Sequence, residues 1–174
     1  IVTVTPSGAD PHDPTHFELA KDPKRHADVI VDAFHAGASI VHIRGAVKVE
    51  KNPDPLRGRA PEFDSWKEVT ELVRSRCNIM INYGLSAMQP AVRKPLFALK
   101  PEAASFLVGH HYSGLPVLPD FQREAALNHL EAGVLPEVEV FHTGDMANWN
   151  ALIKTGLLRP PYCVTLFFEY QPYY

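Results

Sequence analysis

Ser39-Ile-Val-His-Ile43 is the stretch on which the fold turns. It is short, apolar and β-branched, so it reads as a strand. A helical pattern precedes it. Asp22-Pro23 has the form of an N-cap with proline at N1, and Ala27, Ile30, Val31 and Phe34 recur at helical spacing up to Ala36. Gly37 fits the C-terminal stop of that helix. A strand that is apolar at nearly every position and follows a helix belongs to a parallel sheet buried on both faces.

The rest of the chain repeats this alternation. Ile1-Val-Thr-Val-Thr5 reads as a first strand, and Pro6 to about Lys21 as a long polar loop. Gly45 to Pro61, with three prolines, reads as an exposed loop. A helix with Trp66, Val69, Leu72 and Val73 on one face runs from Asp64 or Ser65 to about Arg76. The strand Asn78–Asn82 and a short helix near Pro90 to Leu99 come next. Ala103–Val108 is a fourth strand. A helix over Asp120 to Ala132 places Phe121, Ala125 and Leu130 on one side, and Gly133 stops it. Val138–Phe141 is a fifth strand. A helix capped by Thr143 or Asp145 ends near Gly156, and Tyr162–Phe168 is a sixth strand. Six βα units fit a doubly wound sheet or part of an eight-stranded barrel, and the pattern does not separate the two. One domain over residues 1–174 is expected.

Composition narrows the function. The 174 residues carry 17 Lys+Arg and 20 Asp+Glu, a net charge of −3, which argues against a nucleic-acid partner. No apolar run approaches the roughly 20 residues of a membrane span. Cys77 and Cys163 make no disulfide framework, so a reducing, cytoplasmic setting is expected. The first residue is Ile1 rather than Met, so an upstream segment is expected to have been removed or left out, and no signal peptide is visible. No Gly-x-Gly-x-x-Gly follows a strand, which removes support for a dinucleotide fold.

In either α/β architecture the chemistry sits at the carboxyl ends of the strands. Polar residues and histidines gather there: Ser7-Gly8-Ala9-Asp10, His42-Ile-Arg44, Asn82-Tyr83-Gly84, Gly109-His110-His111 and His142-Thr143-Gly144. Alternation puts Ile40, His42 and Arg44 on one face. His42 is then either a metal ligand or a hydrogen-bonded core histidine, and Arg44 either an anion contact or a surface residue. Glu137 and Glu139 also share a face. One carboxylate can position a substrate or orient a histidine; the other reading is an inward ion pair, with Arg44 as partner. Of His110 and His111, at most one faces the site. Asp10 is either a general base or a turn-forming residue before Pro11.

As a set, these residues make the chain resemble the β-keto acid cleavage enzymes, the family of 3-keto-5-aminohexanoate cleavage enzyme. The likeness runs through Thr5-Pro-Ser-Gly-Ala-Asp10, Ala36-Gly-Ala-Ser-Ile-Val-His42, Leu99-Lys-Pro-Glu-Ala-Ala-Ser105, Leu135-Pro-Glu-Val-Glu-Val-Phe141 and Ala151-Leu-Ile-Lys-Thr-Gly-Leu157. The resemblance implies a (β/α)₈ TIM barrel, with about six βα units in this chain. It implies a zinc ion polarising the keto group, and an exchange in which a β-keto acid and acetyl-CoA, as co-substrate, give acetoacetate and a new acyl-CoA. Carried over by position, it makes His42 a metal ligand. Asp10, Arg44 and Glu139 become catalytic groups, and Asn82, Ser86, Ser105 and His110 substrate contacts.

Three positions depart from the family pattern. Arg44 stands where the second ligand histidine belongs, Tyr83-Gly-Leu-Ser86 replaces Ser-Thr-Gly-Gly, and Leu107 replaces an asparagine. The chain also stops at Tyr174, whereas a full barrel takes ~250 residues. A homo-oligomer, a completing partner chain or a longer polypeptide is therefore expected. Two alternatives to the metal enzyme follow: a non-catalytic binding or assembly subunit, and metal-free catalysis with Arg44 as the electrophile.

Overall fold

The computed structural model describes residues 1–7, 15–49, 59–86, 88–109 and 116–168. In chain order the elements are β1 (Thr3–Val4), α1 (Thr15–Ala20), α2 (Pro23–His35), β2 (Ile40–Ile43), β3 (Val47–Val49), β4 (Arg59–Pro61), α3 (Phe63–Arg74) and β5 (Met80–Tyr83). They continue with α4 (Pro90–Arg93), which runs into a 3₁₀ turn over Lys94–Leu99, then β6 (Ala103–Leu107), α5 (Pro119–Ala132), β7 (Leu135–Val140), α6 (Thr143–Lys154) and β8 (Cys163–Leu166).

Six strands form one parallel sheet in the order β1-β2-β5-β6-β7-β8. The order follows the chain, so the sheet curls one way as a half-barrel rather than reversing at a switch point. His42 on β2 and Glu137 on β7 show how tight the curl is. Three strand spacings, about 14 Å on a flat sheet, separate their strands, yet His42 Nδ1 lies 3.6 Å from Glu137 Oε2.

Side-chain parity divides the sheet between two environments. Val41, Ile43, Ile81, Tyr83 and Ala104 point to the convex side and pack under α2 and α3 with Ala27, Ile30, Trp66, Val69 and Val73. Phe106, Val108, Val138 and Val140 pack there against Ala125, Ala126 and Leu152. Trp66 anchors the first cluster. Its ring meets Tyr83 edge-on at 5.0 Å, its Nε1 donates to the Ala46 carbonyl at 2.9 Å, and a Cβ on Gly45 would sit 2.7 Å from its ring. The alternate positions His42, Asn82, Ser105, Glu137, Glu139 and Thr165 face the concave side.

Local signals account for most boundaries. Asp22 caps α2 by accepting from the Arg25 amide at 3.1 Å, with Pro23 at N1. Gly133 ends α5 in the left-handed region, at φ 68°. The expected polar loop over Pro6–Lys21 contains α1, and the expected loop over Gly45–Pro61 contains the antiparallel pair β3–β4. β7 starts at Leu135, earlier than the apolar pattern indicates, and takes in Pro136. Helix α6 is capped by His142, whose ring accepts from the Gly144 amide at 3.2 Å, with Asp145 completing the capping box.

Helix α5 corrects a face. Leu130 is exposed, whereas Gln122, Asn128 and His129 are buried. Each polar side chain meets backbone carbonyls, on α5 itself or on the segments around it. Gln122 donates to Val108 and Val117, Asn128 donates to Pro90, and the His129 ring reaches Ala104 and Ala125. Among the described residues, no helix is long and apolar enough to cross a membrane.

Candidate functional site

The concave face of the half-barrel concentrates buried polar groups around Glu137. Asn82 Nδ2 donates to its Oε2 at 2.5 Å and Thr165 Oγ1 donates to its Oε1 at 2.6 Å. His42 Nδ1 lies 3.6 Å from the same Oε2, longer than a hydrogen bond. Strands β2, β5, β7 and β8 thus converge on one carboxylate. The intervening strand allows it, because its concave positions Ala103 and Ser105 are small. Burial alone raises the Glu137 pKa, but His42, Thr165 and Asn82 outweigh burial and hold it at about 2. Glu137 is therefore a fixed anion.

Glu139, two residues on, has the opposite character. It is 4% exposed, and burial pushes its carboxyl above the usual range. The charge of Glu137 adds to that rise, while His42, Arg44 and a hydrogen bond with the Ser86 side chain oppose it. Two carboxyls on one strand face thus have affinities for the proton shifted in opposite directions, an arrangement suited to acid–base work.

The loop after β5 closes the site from one side. Ser105 Oγ accepts from the amides of Leu85 at 2.8 Å and Ser86 at 2.9 Å. At Gly84 a Cβ would lie 2.6 Å from His42 Nε2 and 2.8 Å from Arg44 Cγ, so only glycine lets those side chains lie where they do. Arg44 continues the concave face beyond the end of β2. Its main chain is bracketed by Ser7, whose hydroxyl donates to the Arg44 carbonyl at 2.7 Å and accepts from the Arg44 amide at 3.3 Å.

Of the residues singled out by sequence, His42, Arg44, Asn82, Ser86, Ser105 and Glu139 come together here. Asp10 and His110 lie outside the described residues, as does His111. Ser105 serves the loop, spending its hydroxyl on two amides. The inward partner of Glu137 is His42, at 3.6 Å, rather than Arg44. Thr165 was missed, though alternation from Cys163 would have found it; Ser7 stands among the strand-end residues, but nothing local marks its bonds to Arg44.

The implied zinc has a partial donor set at most. Among the described residues no group of three or more His, Cys, Asp or Glu can hold a metal ion. His42 turns Nδ1 to Glu137, and the next position on its face is the cationic Arg44. The described residues do not fit a metal centre, and one built on His42 needs donors from beyond them.

A sequence description of the beta-keto acid cleavage enzyme family, BKACE, matches residues 1–172. Two solved structures share the fold. "Ternary complex of ObcA with C4-CoA adduct and oxalate" aligns at a TM-score of 0.61 with 19% identity, covering 82% of this chain and 35% of that one. "Apo structure of ObcA" aligns at 0.60 with 20% identity, covering 82% and 34%. The present chain thus spans about a third of the length of these structures. No curated protein sequence matches it.

Proposed function

Because the chain belongs to the beta-keto acid cleavage enzyme family, we propose that its concave polar surface binds a β-keto acid and takes part in breaking its C–C bond. The reaction exchanges acyl groups: R–CO–CH₂–COOH and acetyl-CoA give acetoacetate and R–CO–CoA. The carrying observation is the pair of unlike carboxyls, Glu137 ionised and Glu139 held toward its acid form, beside His42 at the carboxyl end of the barrel strands.

Each residue then has a task. Arg44, cationic at any working pH, binds the substrate carboxylate. Asn82 Oδ1 is buried without a hydrogen-bond partner among the described residues, so it accepts a proton-bearing group of the substrate. Glu139, its proton affinity raised by burial, serves as the acid that supplies the keto oxygen as an enolate develops, and Ser86 fixes that group. Glu137 keeps His42 turned toward it. Asp10 and His110 remain proposed site groups, as catalytic carboxylate and substrate contact. A divalent metal, when bound, supplies Lewis-acid polarisation of the keto group.

A second reading, a binding or assembly subunit, draws on apolar side chains along the edge strands: Val2 at 56%, Leu166 at 52% and Phe168 at 80% exposure. Such a surface suits a homo-oligomer or a completing chain.

The deciding experiment incubates the purified chain with acetyl-CoA and a panel of β-keto acids, with and without added zinc, and detects new acyl-CoA by mass spectrometry. Product should form, and Glu139→Gln should reduce its rate on the order of 100-fold. Arg44→Met should raise KM on the order of tenfold or more, the weight of a charged hydrogen bond. Absence of product in every condition, with a stable oligomer in native mass spectra, supports the assembly reading instead.

A further inference from the structure

We propose that Arg93 is a positioning residue of this site: its grip on the loop after β5 holds Ser86 against Glu139. The inference rests on the reading above that the concave surface is where chemistry occurs.

Arg93 on α4 is fully buried, at 0% exposure, with its guanidinium 5.4 Å from the centre of the Phe121 ring. Nη1 donates to the Leu85 carbonyl at 3.1 Å, whereas Nε and Nη2 have no hydrogen-bond partner among the described residues. Burial lowers its pKa to about 10, and the charges of Glu139 and Glu124 work against that fall, so the group stays cationic at neutral pH. A buried, under-partnered cation is costly, and a methionine would fill the same space at lower cost. The contribution particular to arginine is the one bond it makes.

That bond falls at the centre of Gly84-Leu85-Ser86. Ser105 Oγ takes the Leu85 and Ser86 amides, the Gly84 amide donates to the Ile43 carbonyl at 2.8 Å, and the Leu85 carbonyl accepts from both Arg93 Nη1 and, at 3.1 Å, the Met88 amide. The two ends of the tripeptide are the functional contacts. Gly84 lies where a single added carbon would strike His42 Nε2, and the Ser86 side chain bonds Glu139. Without Arg93 the Leu85 carbonyl keeps only the Met88 amide while Gly84 stays tied to Ile43, so Ser86 is the end freed to move relative to Glu139, and loss of near-ångström placement slows a chemical step far more than it weakens binding.

The test compares the full chain with Arg93→Met, Arg93→Lys and Ser105→Ala. Amide hydrogen exchange at Leu85 and Ser86 is read by NMR, with Ala104 and Val138 as internal standards for overall stability. Acyl exchange is measured alongside. Arg93→Met should lose protection at Leu85 and Ser86 roughly tenfold or more, with the standards unchanged. Its kcat should fall roughly tenfold while KM for the keto acid stays within about twofold. Arg93→Lys, able to reach the same carbonyl, should restore most of both. Ser105→Ala loosens the loop from the other side and should show the same split, which keeps the proposal testable if Arg93→Met does not fold. Unchanged loop protection in Arg93→Met, no rescue by lysine, or a Ser105→Ala enzyme with unaltered kcat each overturns it. A wild-type chain without acyl exchange refutes the proposed reaction instead, and the exchange data still decide whether Arg93 holds the loop.

Discussion

Acidification should unfold this protein through a histidine whose buried ring has no hydrogen-bond partner among the described residues. His26, in the first turns of α2, is 1% exposed, and neither ring nitrogen has a hydrogen-bond partner among the described residues. Burial lowers its pKa from 6.5 to about 4. The folded state therefore holds the ring neutral while the unfolded chain protonates it. Below pH 6.5 the unfolded state binds more protons, and stability is lost as pH falls from 6.5 toward 4. At pH 4.5 the unfolded ring is almost wholly charged and the folded one about a quarter charged, so the loss between pH 7 and 4.5 is about 2 kcal/mol. His129, also lowered to about 4 by burial, with the Arg93 charge adding to the effect, titrates in the same window.

Other groups move in or near that window and must be separated. Glu137, held down at about 2, adds stability that is present above pH 4.5 and lost only as pH falls toward 2. Glu139, raised, acts in reverse: its contribution is full below about 4.5 and fades as pH rises through its folded pKa. The clean quantity is therefore the difference between wild type and His26→Leu, in which these groups cancel. Urea unfolding followed by fluorescence of Trp66 and Trp149 at pH 7, 6, 5 and 4.5 supplies it. His26→Leu should be at least as stable as wild type at pH 7, because it buries no unpartnered nitrogen. Its advantage should widen by about 2 kcal/mol at pH 4.5. Parallel pH curves for the two proteins would refute the reasoning.

The remaining tests probe the site and its frame. Glu137→Ala removes the common partner of Asn82, Thr165 and His42 and should cost about 3–5 kcal/mol in urea unfolding. Gly84→Ala places a methyl 2.6 Å from His42 Nε2; keto-acid affinity by calorimetry should fall roughly tenfold, with a Tm change of only a few degrees. Asp22→Ala removes the α2 cap and should cost about 1 kcal/mol in the same unfolding assay, leaving affinity unchanged.

How far the sequence could be read depends on the range of each interaction. Helix α2 is legible because a cap, a proline and an apolar stripe lie within one turn of one another. The shared face of Glu137 and Glu139 follows from alternation alone. Strands β3 and β4 are three residues each, and their pairing spans a proline-rich stretch with no local pattern. The inward turn of Gln122 and His129 is set by backbone carbonyls elsewhere in the fold, and local hydrophobicity points to Leu130 instead. Arg93 is the extreme case, since an arginine is expected outside and only the Leu85 carbonyl and the Phe121 ring explain its place.

The curl of the sheet joins the two kinds of information. Sequence alternation assigns His42, Asn82, Ser105, Glu137 and Glu139 to one face, but on a flat sheet β2 and β7 stand about 14 Å apart. Curling brings them into contact, and what lies between them governs the result. A bulky residue at Ala103 or Ser105 would stand between Asn82 and Glu137; the small ones leave that path open, and Ser105 turns its hydroxyl to the loop instead. Buried polar groups at this density are costly unless each finds a partner. Glu137 finds three, Glu139 answers burial with a raised pKa, and Asn82 Oδ1 is left without one among the described residues. The concave face is therefore a surface whose polar demand is nearly but not wholly met from within. The unmet part lies beside the two unlike carboxyls, where a substrate's polar groups would complete it.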